Sequence, residues 1–413
     1  MPVTLTIHRS ASEIGGNCIE LKASDGTRIL LDAGRPLDAP EHVEVRSLVP
    51  STLDTTSPLE AVLLSHPHQD HYGLLQGLPS NWRVYSGPAC RDLTKFTAVM
   101  LGDDIRQPFV TWTSGQQFRV VPFSVTPFLT DHSAFDAYML LIEVEGRRIL
   151  YSGDFRAHGR KATLVRRMMA DPPRDLDVLL LEGTNLGSDK LCVSEKSLED
   201  RFADLFASTP GRTFVAWSAQ NVDRTVTLYR ACLKSGRTLV VDLYTAEVME
   251  LLAGYGQLPR PGWRNLKIVV TAGLARRYRA RGRAEFVERM AKHGISARAL
   301  ANGAGRWVAM IRPSLIRDYA AGGVNPDADD AWSWSLWSGY LKDEGGRQMA
   351  RWFEPARACH FHTSGHASVA DLRMFAESIA PKTVVPIHGV AWDGHFELFP
   401  RLKRLSDGEQ FAF

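Results

Sequence analysis

The stretch AVLLSHPHQDHYG, Ala61 to Gly73, constrains this chain more than any other. A short, continuous apolar run ahead of a polar loop reads as a buried strand. This one runs directly into His66, His68, Asp70 and His71. His66 and His68, two residues apart, cannot share a helical face, but on an extended loop they converge on one point. Asp70 and His71 follow at once and can turn toward a second point close by. Crowded imidazoles and carboxylates are costly without a cation, and Zn2+ accepts histidine nitrogen and carboxylate oxygen at about 2.0–2.2 Å. One loop at the end of a buried strand is therefore expected to serve two neighbouring metal ions.

Such a loop needs partners, and they recur at other strand ends beside Gly or Ser. His132 lies in TDHSAFDA, Asp154 ends RRILYSGDF, and His388 ends TVVPIHG. The expected arrangement puts His66, His68 and His132 on one metal and Asp70, His71 and His388 on the other, with Asp154 bridging. Two divalent cations, two carboxylates and a shared hydroxide leave residual positive charge, which attracts a phosphodiester and stabilises its transition state. Two metals about 3.5–4 Å apart also lower the pKa of bound water, so the predicted chemistry is metal-assisted hydrolysis.

The elements around this constellation fall into two styles. Strands are predicted at Val3–Ile7, Asn17–Ala23, Thr27–Ala33, Phe118–Phe128, Tyr138–Val144, Arg147–Gly153 and Asp177–Gly183, with a helix near His158–Ala170. After Thr184 the pattern becomes βαβ: strands at Arg212–Trp217, Thr238–Tyr244 and Leu266–Thr271 alternate with helices at Val222–Gly236 and Ala246–Gly256. The stretch Ala320–Ala331 is turn-rich. HFHTSGHAS and TVVPIHGV then return to the first style, so a second α/β domain is inserted into the first. The expected boundaries are 1–190, 191–354 for the insert, and 355–413 for the return. With 413 residues, two ordinary domains are in keeping with the length.

With the insert, the motifs resemble the metallo-β-lactamase superfamily and its β-CASP nuclease branch. SHPHQDHYG with His132, Asp154 and His388 is similar to the superfamily's metal site. LLLEGTN, HTSGH and PIHG resemble the three β-CASP motifs, and SEIGGN with HTSGHAS resembles ribonuclease J. The likeness covers nearly the whole chain. It implies an α/β fold, a four-layered αβ/βα sandwich carrying the inserted α/β β-CASP domain. It implies that Glu182 orients a histidine and that His366 stands near the leaving oxygen as a general acid. It makes His388 a metal ligand of the kind typical of RNA-processing members, where DNA crosslink-repair nucleases carry Val. His362 and Ser364 match phosphate-contacting positions, and Ser218, Asn221 and Arg224 loosely match the insert motif that holds an RNA end.

The implied protein is a zinc-dependent ribonuclease with two Zn2+, Mn2+ being the alternative metal. It acts on single-stranded RNA from the 5′ end or internally and leaves 5′-phosphate and 3′-hydroxyl ends. Two other readings stand beside it: a nuclease for single-stranded DNA or for both nucleic acids, and an RNA-binding processing subunit with weak catalysis. Ribonuclease J forms dimers through a C-terminal domain; a homodimer is the family's expectation, and a chain ending soon after PIHG points to a shorter subgroup.

Composition narrows the rest. Net charge is +3, so polyanion binding must rest on local patches. No apolar run approaches the roughly 18 residues of a membrane span, mean hydropathy is −0.17, and the N-terminus lacks the pattern of a secretory signal. Five scattered cysteines without a CxxC suit reduced thiols in the cytoplasm. His8, His42, His158, His293, His360 and His395 have no convergent partners. ARRYRARGR, Ala275–Arg283, suits single-stranded RNA or a solvated helix face equally. The tryptophans of WSWSLWSGY are expected to pack between insert and core, and EIGGN to form a tight turn beneath the site.

Overall fold

The computed structural model describes residues 2–40, 42–188 and 192–413. The chain divides into two compact units, Met1–Cys192 with Gly365–Phe413, and Val193–Ser364. The expected boundary at 190/191 falls outside the described residues. The expected return at 355 comes later, at Gly365, because the strand Arg357–Cys359 pairs in parallel with Ala331–Trp334 and so belongs to the insert.

Two sheets build the first unit. One runs Gln410–Ala412, Thr4–Arg9, Cys18–Lys22, Arg28–Leu31, Ala61–Leu63, Val84–Ser86, Phe109–Thr111 in spatial order. It is antiparallel as far as Arg28–Leu31 and parallel beyond. The other runs Thr383–Ile387, Val178–Glu182, Arg147–Tyr151, Tyr138–Val144, Phe123–Leu129, Phe118–Val120. Alternation along the strands divides their side chains between two cores. Leu5, Ile7, Ile19, Leu21, Ile29 and Leu31 face Phe123, Leu140, Ile142, Ile149 and Leu180 between the sheets. Cys18, Leu30, Val62 and Leu64 face outward into a second cluster with Tyr72, Trp82 and Cys90. Cys90 lies on the helix Pro88–Leu101, which opens on Pro88 and closes on Gly102 at φ 92°. On the far side, Leu150, Leu179 and Leu181 pack against Phe155, Val165, Leu372 and Phe375. Val165 and Phe375 come from the helices Ala162–Ala170 and Val369–Ile379. The layers are thus helix, sheet, sheet, helix, as expected. AVL and VLLLE lie inside their sheets and are buried on both faces.

The second unit has one seven-stranded parallel sheet, in the order Gly294–Ile295, Leu266–Val269, Thr238–Asp242, Trp307–Met310, Thr213–Ala216, Ala331–Trp334, Arg357–Cys359. Trp332 and Trp334 lie in this unit's own core with Phe214 and Phe353, not between insert and first unit as expected. Two elements end differently from expectation. Phe118–Phe128 is two strands, because the chain reverses at Val121–Pro122 and Phe118–Val120 pairs antiparallel with Phe123–Val125. Tyr244 belongs to the helix Leu243–Leu252, because Asp242 caps its first turn by accepting from Thr245 N. Among the described residues every cysteine is a free thiol, and burial pushes Cys18 up to about 12.

Candidate metal centre

The strand Ala61–Leu63 delivers His66 and His68 on extended backbone, and the chain then turns into the short helix Gln69–Tyr72 carrying Asp70 and His71. What lies beneath that turn explains its neighbours. A Cβ on Gly34 would sit 1.8 Å from the Asp70 carbonyl oxygen, so only glycine fits there. Asn17 N donates to the same carbonyl at 3.0 Å. Gly15 and Gly16, at φ 80° and 72°, bend EIGGN against Asp70, the turn expected beneath the site.

Three imidazoles meet first. His68 Nδ1 lies 3.2 Å from His66 Nε2 and 3.3 Å from His132 Nε2. Beside them His71 Nε2 lies 3.1 Å from Asp154 Oδ2, and His388 Nε2 lies 3.4 Å from Asp70 Oδ2 and 3.7 Å from Asp154 Oδ2. The same Asp154 oxygen is 3.7 Å from His66 Nε2, so it touches both groups. Donor atoms of His66, His68 and His132 form one cluster, those of Asp70, His71, Asp154 and His388 a second, and those of Asp154, Glu182, His366 and His388 a third. All of these residues belong to the first unit.

Hydrogen bonds fix the ring tautomers. His132 Nδ1 donates to the Gly365 carbonyl at 2.6 Å, leaving its Nε2 lone pair directed at His68. His71 Nδ1 faces Asp32 Oδ2 at 2.7 Å, and His388 Nδ1 faces Thr184 Oγ1 at 2.8 Å. Asp32, at φ 57°, also accepts from Ser65 N, Ser65 Oγ and Tyr151 OH, the last at 2.5 Å. Such outer partners hold ligating histidines in one orientation. Sequence reasoning missed Asp32, Thr184 and Tyr151. Asp32 had a signal, since RILLDAG repeats the pattern of a strand ending in Asp beside Gly; Thr184 and Tyr151 had none.

Electrostatics follow the geometry. Burial, reinforced by neighbouring histidines, holds His66 and His132 well below the usual imidazole range, and burial brings His68 down to about 4. Three neutral imidazoles thus aim lone pairs at one point. His71 moves up: burial opposes it, but Asp154, Asp32 and Asp70 prevail. Burial likewise opposes ionisation of Asp154, yet His388 and His71 hold it well below the carboxylate range. His366 rises to about 9 against burial, through Glu182 and Asp154, whose oxygens lie 3.4 and 3.7 Å from its Nδ1. Asp154 Oδ1 is buried and accepts no hydrogen bond among the described residues. Converging lone pairs and an orphaned carboxylate oxygen are what a cation satisfies, so the donor set fits divalent metals.

Among known families, residues 27–228 match the model of the beta-lactamase superfamily domain. The chain carries a domain of the metallo-β-lactamase superfamily. Residues 356–391 match the Zn-dependent metallo-hydrolase RNA specificity domain. Ribonuclease J of Mycoplasma genitalium is 19% identical over 98% of this chain and 70% of its own length. Ribonuclease J of Sinorhizobium meliloti is 23% identical over 92% and 68%, and that of Mycobacterium tuberculosis 24% identical over 92% and 67%. A protein of unknown function from Enterococcus faecalis V583 shares the fold over the full length of both chains, with a TM-score of 0.77 and 21% identity.

The remaining expected site residues lie in the second unit. Ser218 is exposed at a strand end. Asn221 caps the helix Val222–Ser235 by accepting from Arg224 N. Arg224 is fully buried: it pairs with Glu195 at 3.1 Å and donates to Ser335 and to the Phe361 carbonyl. It therefore braces the segment that carries His362 instead of facing solvent. His362 is brought down to about 3 by burial and then by Arg224. Ser364 is half-buried. In ARRYRARGR, Arg276, Arg277 and Arg279 are exposed on the helix Ala272–Ala280, but Tyr278 is buried against Phe286. That tyrosine is not available for stacking on a base. No described helix is long and apolar enough to cross a membrane.

Proposed function

We propose that this chain is a zinc-dependent ribonuclease of the ribonuclease J type, hydrolysing phosphodiesters of single-stranded RNA at a two-metal site. The observation that carries it is the convergence of His66, His68 and His132 beside Asp70, His71 and His388, with one oxygen of Asp154 reaching toward both groups. His66, His68 and His132 would hold one metal, and Asp70, His71 and His388 the other, with Asp154 shared. Zn2+ bound there supplies Lewis acidity toward a phosphoryl oxygen and lowers the pKa of water.

The chain's own groups do the rest. Glu182 reaches three ways: Oε2 stands 3.4 Å from His366 Nδ1 and accepts from Thr184 N at 3.1 Å, and Oε1 accepts from Phe155 N. It thereby holds His366 in place and favours its charged form. A cationic imidazole at the border of the metal donors can give its proton to the departing 3′ oxygen, a contribution typical of general acids at about 100- to 10,000-fold. Thr184 links this acid to the metal donors, since its hydroxyl faces His388 Nδ1. The likeness of residues 356–391 to an RNA specificity domain, and of the chain to ribonuclease J, supports RNA as the substrate.

The test is digestion of 5′-labelled and 3′-labelled RNA bearing 5′-monophosphate ends by zinc-loaded protein. Cleavage is expected, and it is expected to be lost in Asp154→Ala. Labelled mononucleotide from the 5′ end alone identifies exonuclease action, and internal fragments endonuclease action. RNA left intact over long incubation, or cleavage unchanged in Asp154→Ala, would overturn the assignment. A matched DNA oligonucleotide measures the preference between the two nucleic acids.

A further inference from the structure

The tryptophans of WSWSLWSGY separate into two environments. Trp332 and Trp334 are buried, whereas Trp337 is 51% and Tyr340 47% exposed. The two exposed rings meet edge to face, with centroids 5.4 Å apart. Their placement is built. Trp334 Nε1 donates to the Trp337 carbonyl at 3.1 Å, which anchors the exposed residue to a buried one. A Cβ on Gly339 would come within 2.2 Å of the Trp337 indole, so the ring lies against backbone where only glycine leaves room.

The pair adjoins the segment that leads to His362 and Ser364. His360 Nε2 faces the Leu336 carbonyl at 3.2 Å, Phe361 N donates to Ser333 Oγ, and Ser335 Oγ donates to the Phe361 carbonyl at 2.6 Å. The exposed His360 ring stacks on His362 at 5.9 Å. Exposed Arg201 covers the Phe361 ring at 4.3 Å, and exposed Lys342 ends the turn that carries Tyr340. Among the described residues of this unit the exposed large hydrophobic side chains are Tyr255, Trp337 and Tyr340, all aromatic. Aromatic faces set among His, Arg and Lys are the chemistry that receives unpaired bases and the phosphates between them.

We propose that Trp337 and Tyr340 form a base-stacking platform for single-stranded RNA, engaging a nucleotide adjacent to the phosphates met by the His360–Ser364 segment. The platform deepens the ribonuclease assignment and rests on it. Trp337 provides the stacking face, Tyr340 holds that ring from its edge, and Gly339 seats it.

The test is equilibrium binding of fluorescent 2′-O-methyl RNA, which resists cleavage, to the zinc-loaded full chain. Trp337→Ala is expected to weaken binding of a long oligonucleotide about tenfold, the worth of one base stack. Trp337→Phe should restore most of that loss. Gly339→Ala, which keeps the indole but unseats it, should fall between. Tyr255→Ala, an exposed aromatic elsewhere on the same unit, should bind as the wild type does, and circular dichroism checks that each variant is folded. If the wild type binds and cleaves RNA while Trp337→Ala and Tyr340→Ala bind equally well, the platform is wrong and the ribonuclease assignment stands. If Tyr255→Ala loses as much as Trp337→Ala, the effect is not local and the platform is again wrong. If the wild type neither binds nor cleaves any RNA, both fall together.

Discussion

Asp154 and Asp32 show how much a single carboxylate decides here. Asp154 reaches both donor groups with one oxygen and carries a second, buried oxygen without a hydrogen bond among the described residues. Asp154→Ala should therefore remove more bound zinc, measured by elemental analysis, than the loss of any one histidine. Asp32 is not itself a member of a donor cluster, but it orients His71 through Nδ1 and is itself held by Ser65 and Tyr151. Asp32→Asn should weaken zinc binding about 10- to 100-fold in a chelator competition, the usual cost of losing such a support. Far from this site, Glu20 is buried beside His8 and Arg28, with Arg28 Nη2 at 2.6 Å. Burial pushes its carboxyl up, but the hydrogen bonds from His8 and Arg28 outweigh burial and hold it below its ordinary value. A depressed carboxylate stabilises the fold fully above its unfolded pKa of about 4.3, and that stability is lost as pH falls through the folded value. The thermal midpoint should accordingly drop on acidification below about pH 4.3, and Glu20→Gln, lower at neutral pH, should show a shallower drop in that window.

At the scale of elements, the site depends on how closely backbones approach. The helix Gln69–Tyr72 has four residues and cannot hold itself together; it is seated by Asn17 N and by the absence of a side chain at Gly34. Gly34→Ala should shift this turn, and with it Asp70 and His71, while His66 and His132 keep their supports. Zinc titration is expected to show one site weakened and the other largely kept. His388 stands at φ 49° at the end of Thr383–Ile387, a left-handed backbone in a bulky residue, stored at the point where the strand must present its ring. In the second unit Arg224 performs the same service by ion pairing. Arg224→Ala removes the buried cation that lies 3.1 Å from Glu195, which should destabilise that unit by about 3–5 kcal/mol in denaturant unfolding. The strands were legible as apolar runs, because burial on both faces leaves little room for polar residues. Their ends were less so: a run that looked continuous folds back on itself at Val121–Pro122, and Tyr244 joins a helix because Asp242 caps it.

At the scale of the whole molecule, the two units have separate cores, and among the described residues every candidate metal donor lies in the first. A ligand that binds only the native form stabilises what it binds, by about 2.7 kcal/mol at a hundredfold excess over Kd. Calorimetry of the full chain should therefore show zinc raising the transition of the first unit, with the second moving little. The insert was visible in the sequence as a change of periodicity, from short strands ending in His or Asp to alternating strands and helices. Its far boundary was not, because Arg357–Cys359 looks like any short polar strand until its pairing with Ala331–Trp334 is known. The amino-acid sequence by itself determined the chemistry: HxHxDH after a buried strand, with His132, Asp154 and His388 at other strand ends, specifies a metal hydrolase wherever the chain brings them together. Tertiary structure alone decided which residues support that chemistry and which do not. Asp32 enters the site and Arg224 turns inward because burial and hydrogen-bond geometry depend on residues far apart in the chain, and spacing along a sequence carries no record of them.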